Sequence, residues 1–261
     1  MGTVSPYYSE RMNGSGFLPG RSLIQARGEI GGIRYVFVKL IGAAKDAFRT
    51  PTTGGKLLNP FKGPAKIYAG DFLEYDPGIY GNAGATVKIL KSYQCAKKTG
   101  ATDTTLLIVR DGYKHIPFIG DNIMVAPDAL DGTGTAVTVT GVEKATEAGA
   151  DVWKLTLSAT LGVVAKDAIL VEAAAVGEAQ KPMVTNPNGY AQCDYDFLFT
   201  PGDDFEDGSR YLLTPFLAND DTVMYIDRMS PIPPAIKALN KSRVKIRRSE
   251  ERRVGKECRS R

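Results

Sequence analysis

Residues 119–125 read Ile119-Gly120-Asp121-Asn122-Ile123-Met124-Val125, and this stretch decides the fold class. Glycine takes the positive φ of a tight turn at no steric cost, and the aspartate behind it can hydrogen-bond the neighbouring backbone. Beyond the turn, Ile123 and Val125 stand two residues apart, the period of a strand with one face in a core. Two more stretches have the same form: Ala69-Gly70-Asp71-Phe72-Leu73-Glu74-Tyr75 and Ala165-Lys166-Asp167-Ala168-Ile169-Leu170-Val171. Aligned on Asp71, Asp121 and Asp167, they read as three strands, each entered through a tight turn. The pattern suits a small β-barrel and is specific to no one family.

The surrounding sequence keeps the same period. Val87 and Ile89 alternate, Leu106 to Val109 form an apolar run, and Val137 and Val139 alternate with Thr138 and Thr140. A hairpin through Glu147-Ala148-Gly149-Ala150-Asp151 leads to Trp153, Leu155 and Leu157, again two apart. Short strands at this spacing predict an antiparallel β-barrel or sandwich. Its domain is expected over 85–173, with Val87, Ile89, Ile108, Ile123, Val125, Val139, Leu155 and Val171 in the core and Trp153 among them.

The fold class is therefore mainly β. Residues 1–28 form an extended N-terminal arm, and 29–84 a β segment with a loop that opens with a strand at Ile33 to Ile41. Residues 174–247 form a C-terminal β and interface segment. It holds one short C-terminal helix after Pro234, where Ala235, Ile236 and Leu239 have helical spacing behind a proline suited to a helix start.

Residues 248–261, Arg-Ser-Glu-Glu-Arg-Arg-Val-Gly-Lys-Glu-Cys-Arg-Ser-Arg, resemble a translated sequencing adapter. They are set aside as an artefactual tail pointing to a metagenomic source, with the natural C-terminus expected to be missing. Six of the 33 basic and three of the 29 acidic residues lie there, which leaves 27 and 26. A chain this close to neutral gives no bulk electrostatic case for binding nucleic acid or a charged membrane surface. No run approaches the roughly 18 apolar residues of a membrane span, and Met1 to Gly20 has no apolar core of a signal sequence. Outside the tail, Cys95 and Cys193 lack any metal-site or redox spacing and read as reduced and buried.

Chemical motifs are weak. His115 is the single histidine, and no Gly-x-Ser-x-Gly presents a nucleophile to it. From Asp203, a calcium loop would place Phe205 at its third position and Thr214 at its twelfth, so it fails twice. Asp131-Gly132-Thr133-Gly134-Thr135 and Thr53-Gly54-Gly55-Lys56 lack the glycines of phosphate cradles and read as turns. No catalytic residue, cofactor or metal is assigned.

Four stretches carry a resemblance: Met183 to Asn188, Asp194 to Phe199, Arg210 to Pro215, and Arg228 to Ser242 with its Met229-Ser230-Pro231-Ile232-Pro233-Pro234. In wording and order they are similar to head fibre and capsid-associated proteins of tailed gut phages. The resemblance spans most of 66–245. It implies a non-enzymatic virion structural protein, made in the host cytoplasm and placed on the capsid surface. Its partners would be the phage major capsid protein and further copies of itself, with a trimer as the expected homo-oligomer. Tyr7, Tyr8 and Phe17 in the arm, with Met229 and Ile232, are the expected subunit or capsid contacts, because turn-rich sequence around them cannot bury them alone. The alternatives are a carbohydrate-binding or adhesin-like β domain, which would expose aromatics in a row, and a β-rich hydrolase, which would need carboxylates converging in a cleft.

Overall fold

The computed structural model describes residues 28–30, 33–40, 56–68, 70–76, 86–191, 195–197, 211–217, 223–239 and 245–247. In chain order the strands begin with Gly28–Ile30 (β1), Ile33–Leu40 (β2), Lys56–Leu57 (β3), Ala65–Ile67 (β4), Phe72–Asp76 (β5) and Thr86–Ile89 (β6). Ser92–Gln94 (β7), Thr105–Val109 (β8), Asn122–Val125 (β9), Gly134–Glu147 (β10), Ala150–Leu157 (β11) and Ile169–Glu172 (β12) follow. Gly177–Gln180 (β13), Gly189–Ala191 (β14), Tyr195–Phe197 (β15), Tyr211–Leu217 (β16) and Val223–Tyr225 (β17) come next. Helix Pro234–Leu239 (α1) and Lys245–Arg247 (β18) complete the order.

Among the described residues the protein is mainly antiparallel β, with one short helix near the C-terminal end, as the periodicity predicts. Two large sheets carry the fold. The first has the order β1-β2-β14-β5-β6-β3-β16, and the second β7-β12-β9-β10-β11-β8 with β13 beside β10. The second sheet, from Ser92 to Gln180, is inserted whole between β6 and β14 of the first. The boundary expected at residue 85 therefore moves: β6 pairs with β5 and β3 and belongs to the first sheet. The first sheet is also mixed, since β16 runs parallel to β2 from Tyr211↔Arg34 to Leu217↔Leu40.

Both sheets curl without closing into continuous barrels. In the first, β16 meets β3 through the one pair Leu212↔Lys56. In the second, one bridge, Cys95↔Ile108, links the two ends of the strand order, beside Ala96 N–H donating to Leu107 O at 2.7 Å. The expected barrel is thus a curled sheet with a single-residue seam.

Two apolar clusters explain the curl. Inside the second sheet, Tyr93, Cys95, Leu106, Ile108, Ile123, Val139, Leu155 and Leu170 pack together. Between the sheets, Phe72, Leu90 and Tyr190 meet Met124, Val171 and Ala173, and Met229, Ile232 and Ile236 cover them. Strand β9 is buried on both faces, Ile123 in one cluster and Met124 in the other. Val125 was expected in the core but is 37% exposed, because β9 runs past the edge of the cluster there. Trp153 is only partly buried against the inner cluster. The β10–β11 hairpin forms where expected, its two-residue loop Ala148-Gly149 at φ 49° and 82°. That double positive φ matches the right-handed twist of the strands it joins.

Candidate functional site

The turns quoted first are one structure in three places. In Tyr68 to Asp71, Gly70 has φ 94°, Asp71 N–H donates to Tyr68 O, and Tyr68 N–H donates to Asp71 Oδ2 at 2.8 Å. In Phe118 to Asp121, Gly120 has φ 87° and Phe118 N–H donates to Asp121 Oδ2 at 2.8 Å. Each turn is closed by a neighbouring strand in the same way. Gly70 N–H donates to Ala191 O and Ala191 N–H to Asp71 O; Gly120 N–H donates to Val139 O and Val139 N–H to Asp121 O.

The third turn aligns one residue differently from the sequence reading. Asp167 N–H donates to Cys95 O and Cys95 N–H to Ala168 O, so Asp167 stands where Gly70 and Gly120 stand. Its φ of 65° confirms the match. Aspartate tolerates the left-handed region better than most residues, and Ala168 takes the place of the buried carboxylates. The shared property is backbone conformation, not the carboxylate.

The first two turns sink Asp71 and Asp121 into the joint between the sheets, where both are buried. His115 is buried there too, its Nε2 2.8 Å from Asp71 Oδ2, while Ser92 N–H donates to its Nδ1 at 3.3 Å. Since Nδ1 accepts, Nε2 carries the proton that Asp71 receives. Phe61 meets the imidazole edge-on, with ring centroids 5.6 Å apart. Asp121 receives the Tyr93 hydroxyl at 3.4 Å, and the Lys62 ammonium stands 3.9 Å from its Oδ1 while donating to Gly120 O. Burial first, then the charges of Asp121 and Glu172, hold the Tyr93 hydroxyl well above its ordinary pKa.

A buried ion pair completes the joint. Lys91 is 1% exposed and donates to Pro60 O at 2.9 Å and to Glu172 Oε1 at 3.2 Å, its ammonium 4.7 Å from the Phe61 ring centre. Asn59 Nδ2 donates to Glu172 Oε2 at 2.6 Å and to Ile89 O, and Asn59 Oδ1 accepts from Ile89 N–H. Asn59 thereby prolongs the edge of β6 and ties it to β12. Burial raises the Glu172 carboxyl above the usual carboxylate range, and Lys91 and Asn59 only partly offset it.

Ser92, His115 and Asp71 are the residue types of a nucleophilic relay, but this geometry does not make one. The group on the imidazole is the Ser92 backbone N–H, and the Ser92 hydroxyl donates to Pro231 O at 2.5 Å. A relay needs that hydroxyl on the base and a place for substrate beside it, and all three residues are buried. What the cluster does chemically is bind one sheet to the other, while Ser92 holds Pro231.

Among the residues expected at contacts, Met229 and Ile232 are buried in the chain's own inter-sheet cluster. Tyr7, Tyr8 and Phe17 lie outside the described residues, as do Cys193, the Asp203 to Gly208 cluster and residues 248–261. Asp131 to Thr135 is a turn running directly into β10, with Gly132 N–H donating to Ala129 O. No group of three or more His, Cys, Asp or Glu suited to a metal ion occurs among the described residues. No helix among them is long and apolar enough to cross a membrane.

The joint's other members went unread, yet one had a signal. Val87, Ile89, Lys91, Tyr93 and Cys95 share a parity and all are buried, so Lys91 stands at a core-facing position of an alternating run. Nothing local marks Asn59 or Glu172 as its companions. Comparison with family models, curated proteins and solved structures finds no match for this chain.

Proposed function

We propose that this chain is a virion structural protein, a head fibre or capsid decoration protein that binds the phage capsid surface and acts without catalysis. The reading starts from the resemblance in four stretches, all of which reach into the described fold, β15 and most of β16 lying in two of them. Asn188 clamps Tyr75 through both its amide atoms, at 2.7 Å each, and Thr185 and Asn186 N–H groups hold Glu74 at 2.9 Å. Met229 to Ile236 seals the inter-sheet cluster.

The observation that carries the reading is where the ionisable residues go. Asp71, His115, Lys91, Glu172 and Asp121 are all committed to an internal joint that stiffens a two-sheet body. A decoration protein needs a rigid body with binding faces rather than a reactive cleft. The carbohydrate alternative has less support, because Arg110 and Lys144 stand 5.4 Å and 6.0 Å from the Trp153 ring centre and occupy the aromatic surface a sugar would stack on.

The test is co-sedimentation of the protein lacking residues 248–261 with assembled capsids of the phage that encodes it. Saturable binding at micromolar concentration, at a fixed ratio to capsid subunits, is the expected result. Failure to sediment with capsids above a non-binding control would end the proposal.

A further inference from the structure

Three side chains of the joint, Lys91, Asn59 and Glu172, bring together an amine, a carboxamide and a carboxyl. Lys91 is 1% exposed, Asn59 4% and the Glu172 side chain 11%. The carboxyl stands between the other two: Oε1 receives Lys91 Nζ at 3.2 Å, and Oε2 receives Asn59 Nδ2 at 2.6 Å. Lys91 Nζ also donates to Pro60 O at 2.9 Å, which holds it against the residue that follows Asn59. The Asn59 amide is fixed in orientation, because its Nδ2 donates to Ile89 O at 2.7 Å and Ile89 N–H donates to its Oδ1 at 2.8 Å. The Phe61 ring centre lies 4.7 Å from the Lys91 ammonium. These are the parts of an amide-forming site. They are a nucleophile taken out of water, a proton carrier touching both nucleophile and leaving group, and an N–H aimed at the oxygen that would take up charge.

We propose that Lys91 and Asn59 become joined by an isopeptide bond, made by the chain itself after folding. Lys91 first passes a proton to Glu172. Burial disfavours the charged forms of both groups, and it already holds the Glu172 carboxyl above the usual carboxylate range. The Nζ lone pair then attacks Asn59 Cγ, and negative charge gathers on Oδ1 at the Ile89 N–H. Glu172 gives its proton to Nδ2 and takes a second proton from Nζ. The Cγ–Nδ2 bond breaks, ammonia leaves, and the new Cγ–Nζ amide remains beside a neutral Glu172. The step consumes no other reactant. The ion pair described above belongs to newly made protein, which passes to the linked state with time. The bond ties the segment after β3 to the start of the inserted sheet and closes a loop that unfolding can no longer open. It is a single turnover on the chain's own residues, and it stands or falls separately from the virion reading.

The test is denaturing mass spectrometry of the whole chain lacking residues 248–261, taken at intervals after purification. The expected mass falls below that of the sequence by one ammonia. Trypsin should then release one branched peptide, Leu57 to Lys62 joined to Ile89 to Lys97 and uncut after Lys91. Lys91→Arg keeps a buried cation without the nucleophile and should keep the full mass. Glu172→Gln keeps the shape of the site and should slow the loss of ammonia about a hundredfold. Circular dichroism like the parent's identifies the folded variants, and the parent's own peptide map decides even where a variant does not fold. Full mass retained through a week of incubation, with trypsin cutting after Lys91, would overturn the proposal. So would a loss of ammonia that maps to other residues, such as ring closure at Asn188-Gly189.

Discussion

The two sheets teach different lessons about how sequence becomes structure. The second draws its strands from Ser92 to Gln180, so all its pairings lie within that stretch, and two of them, β9–β10 and β10–β11, join consecutive strands. The first draws on Gly28 to Leu217, and four of its pairings, β2–β14, β2–β16, β5–β14 and β3–β16, span more than a hundred residues. The second sheet has an apolar cluster inside it, and Phe72, Leu90 and Tyr190 join Met124, Val171 and Met229 to Ile236 in another between the sheets. The second sheet is thus a continuous insertion expected to be autonomous, and the first is assembled from the chain on either side of it.

The largest expected effect tests that autonomy. A fragment of residues 91–182 should fold by itself, giving β-type circular dichroism and a cooperative urea transition. The complementary fragment 28–90 should give neither, because it lacks β14 and β16. A non-cooperative 91–182 fragment would show that the insertion also depends on its host, and the contrast between the sheets would fail.

The joint between the sheets gives the next effect. Glu172→Leu leaves Lys91 buried with only Pro60 O and the Phe61 ring, and removing one partner of a buried pair costs about 3–5 kcal/mol. Adding Lys91→Met should bring stability back to within about 1 kcal/mol of the parent, since well-packed apolar replacements of such pairs are often neutral. Urea midpoints of the two single variants and the double variant measure this. If the double variant were no better than Glu172→Leu alone, the pair would not be what couples the sheets.

Two turns of the second sheet can be compared position by position. Gly120→Ala places a Cβ at φ 87° and should cost about 1–2 kcal/mol. At the equivalent place in the third turn, Asp167→Gly should stabilise the protein by a few tenths to 1 kcal/mol, by relieving the same backbone requirement. Changes of opposite sign at these two sites in thermal melts would confirm that the turns are one motif. A loss on Asp167→Gly would show that the Gln94 amide held by its carboxylate at 3.0 Å outweighs backbone relief.

How much was legible follows from the same contrast. Period-two alternation found the strands of the insertion, and Ile108, Ile123, Val139, Leu155 and Val171 are buried as expected. Alternation says nothing about which distant strand pairs with which, so the order of the first sheet, the parallel β2–β16 pair and the place of β6 were out of reach. The Gly-Asp turns were visible as a pattern, but the sequence alignment used the wrong residue in the third, because φ is not written in residue type. Lys91 was visible as a charge in a buried parity. Its partners were not, because Asn59 and Glu172 come from segments 113 residues apart and meet only in the folded joint. Met229 and Ile232 were rightly read as needing burial, but the sequence could not say that their own chain supplies it.

The smallest effect separates the sheets by pH. In the first sheet, burial alone would raise Glu74, but the Asn186 and Thr185 N–H groups and the Lys88 ammonium outweigh it and hold the carboxyl below its ordinary 4.5. In the second, burial wins at Glu172 and raises it above 4.5. The two should therefore leave opposite marks on stability. Glu74 contributes stability above pH 4.5 that is lost as pH falls through its lowered folded value. Glu172 contributes stability that is complete below pH 4.5 and is lost as pH rises through its raised folded value. Substituting glutamine removes each titration. The deficit of Glu74→Gln relative to the parent should grow between pH 3 and pH 5 and then stay level. The deficit of Glu172→Gln should be greatest near pH 4 and diminish as pH rises toward 7. Urea midpoints of the three proteins at unit pH steps read both curves. Two deficits moving in the same direction would mean that Lys91 and Asn59 stabilise the Glu172 carboxylate more than burial penalises it, and the joint would then be a net electrostatic clamp like the Glu74 site.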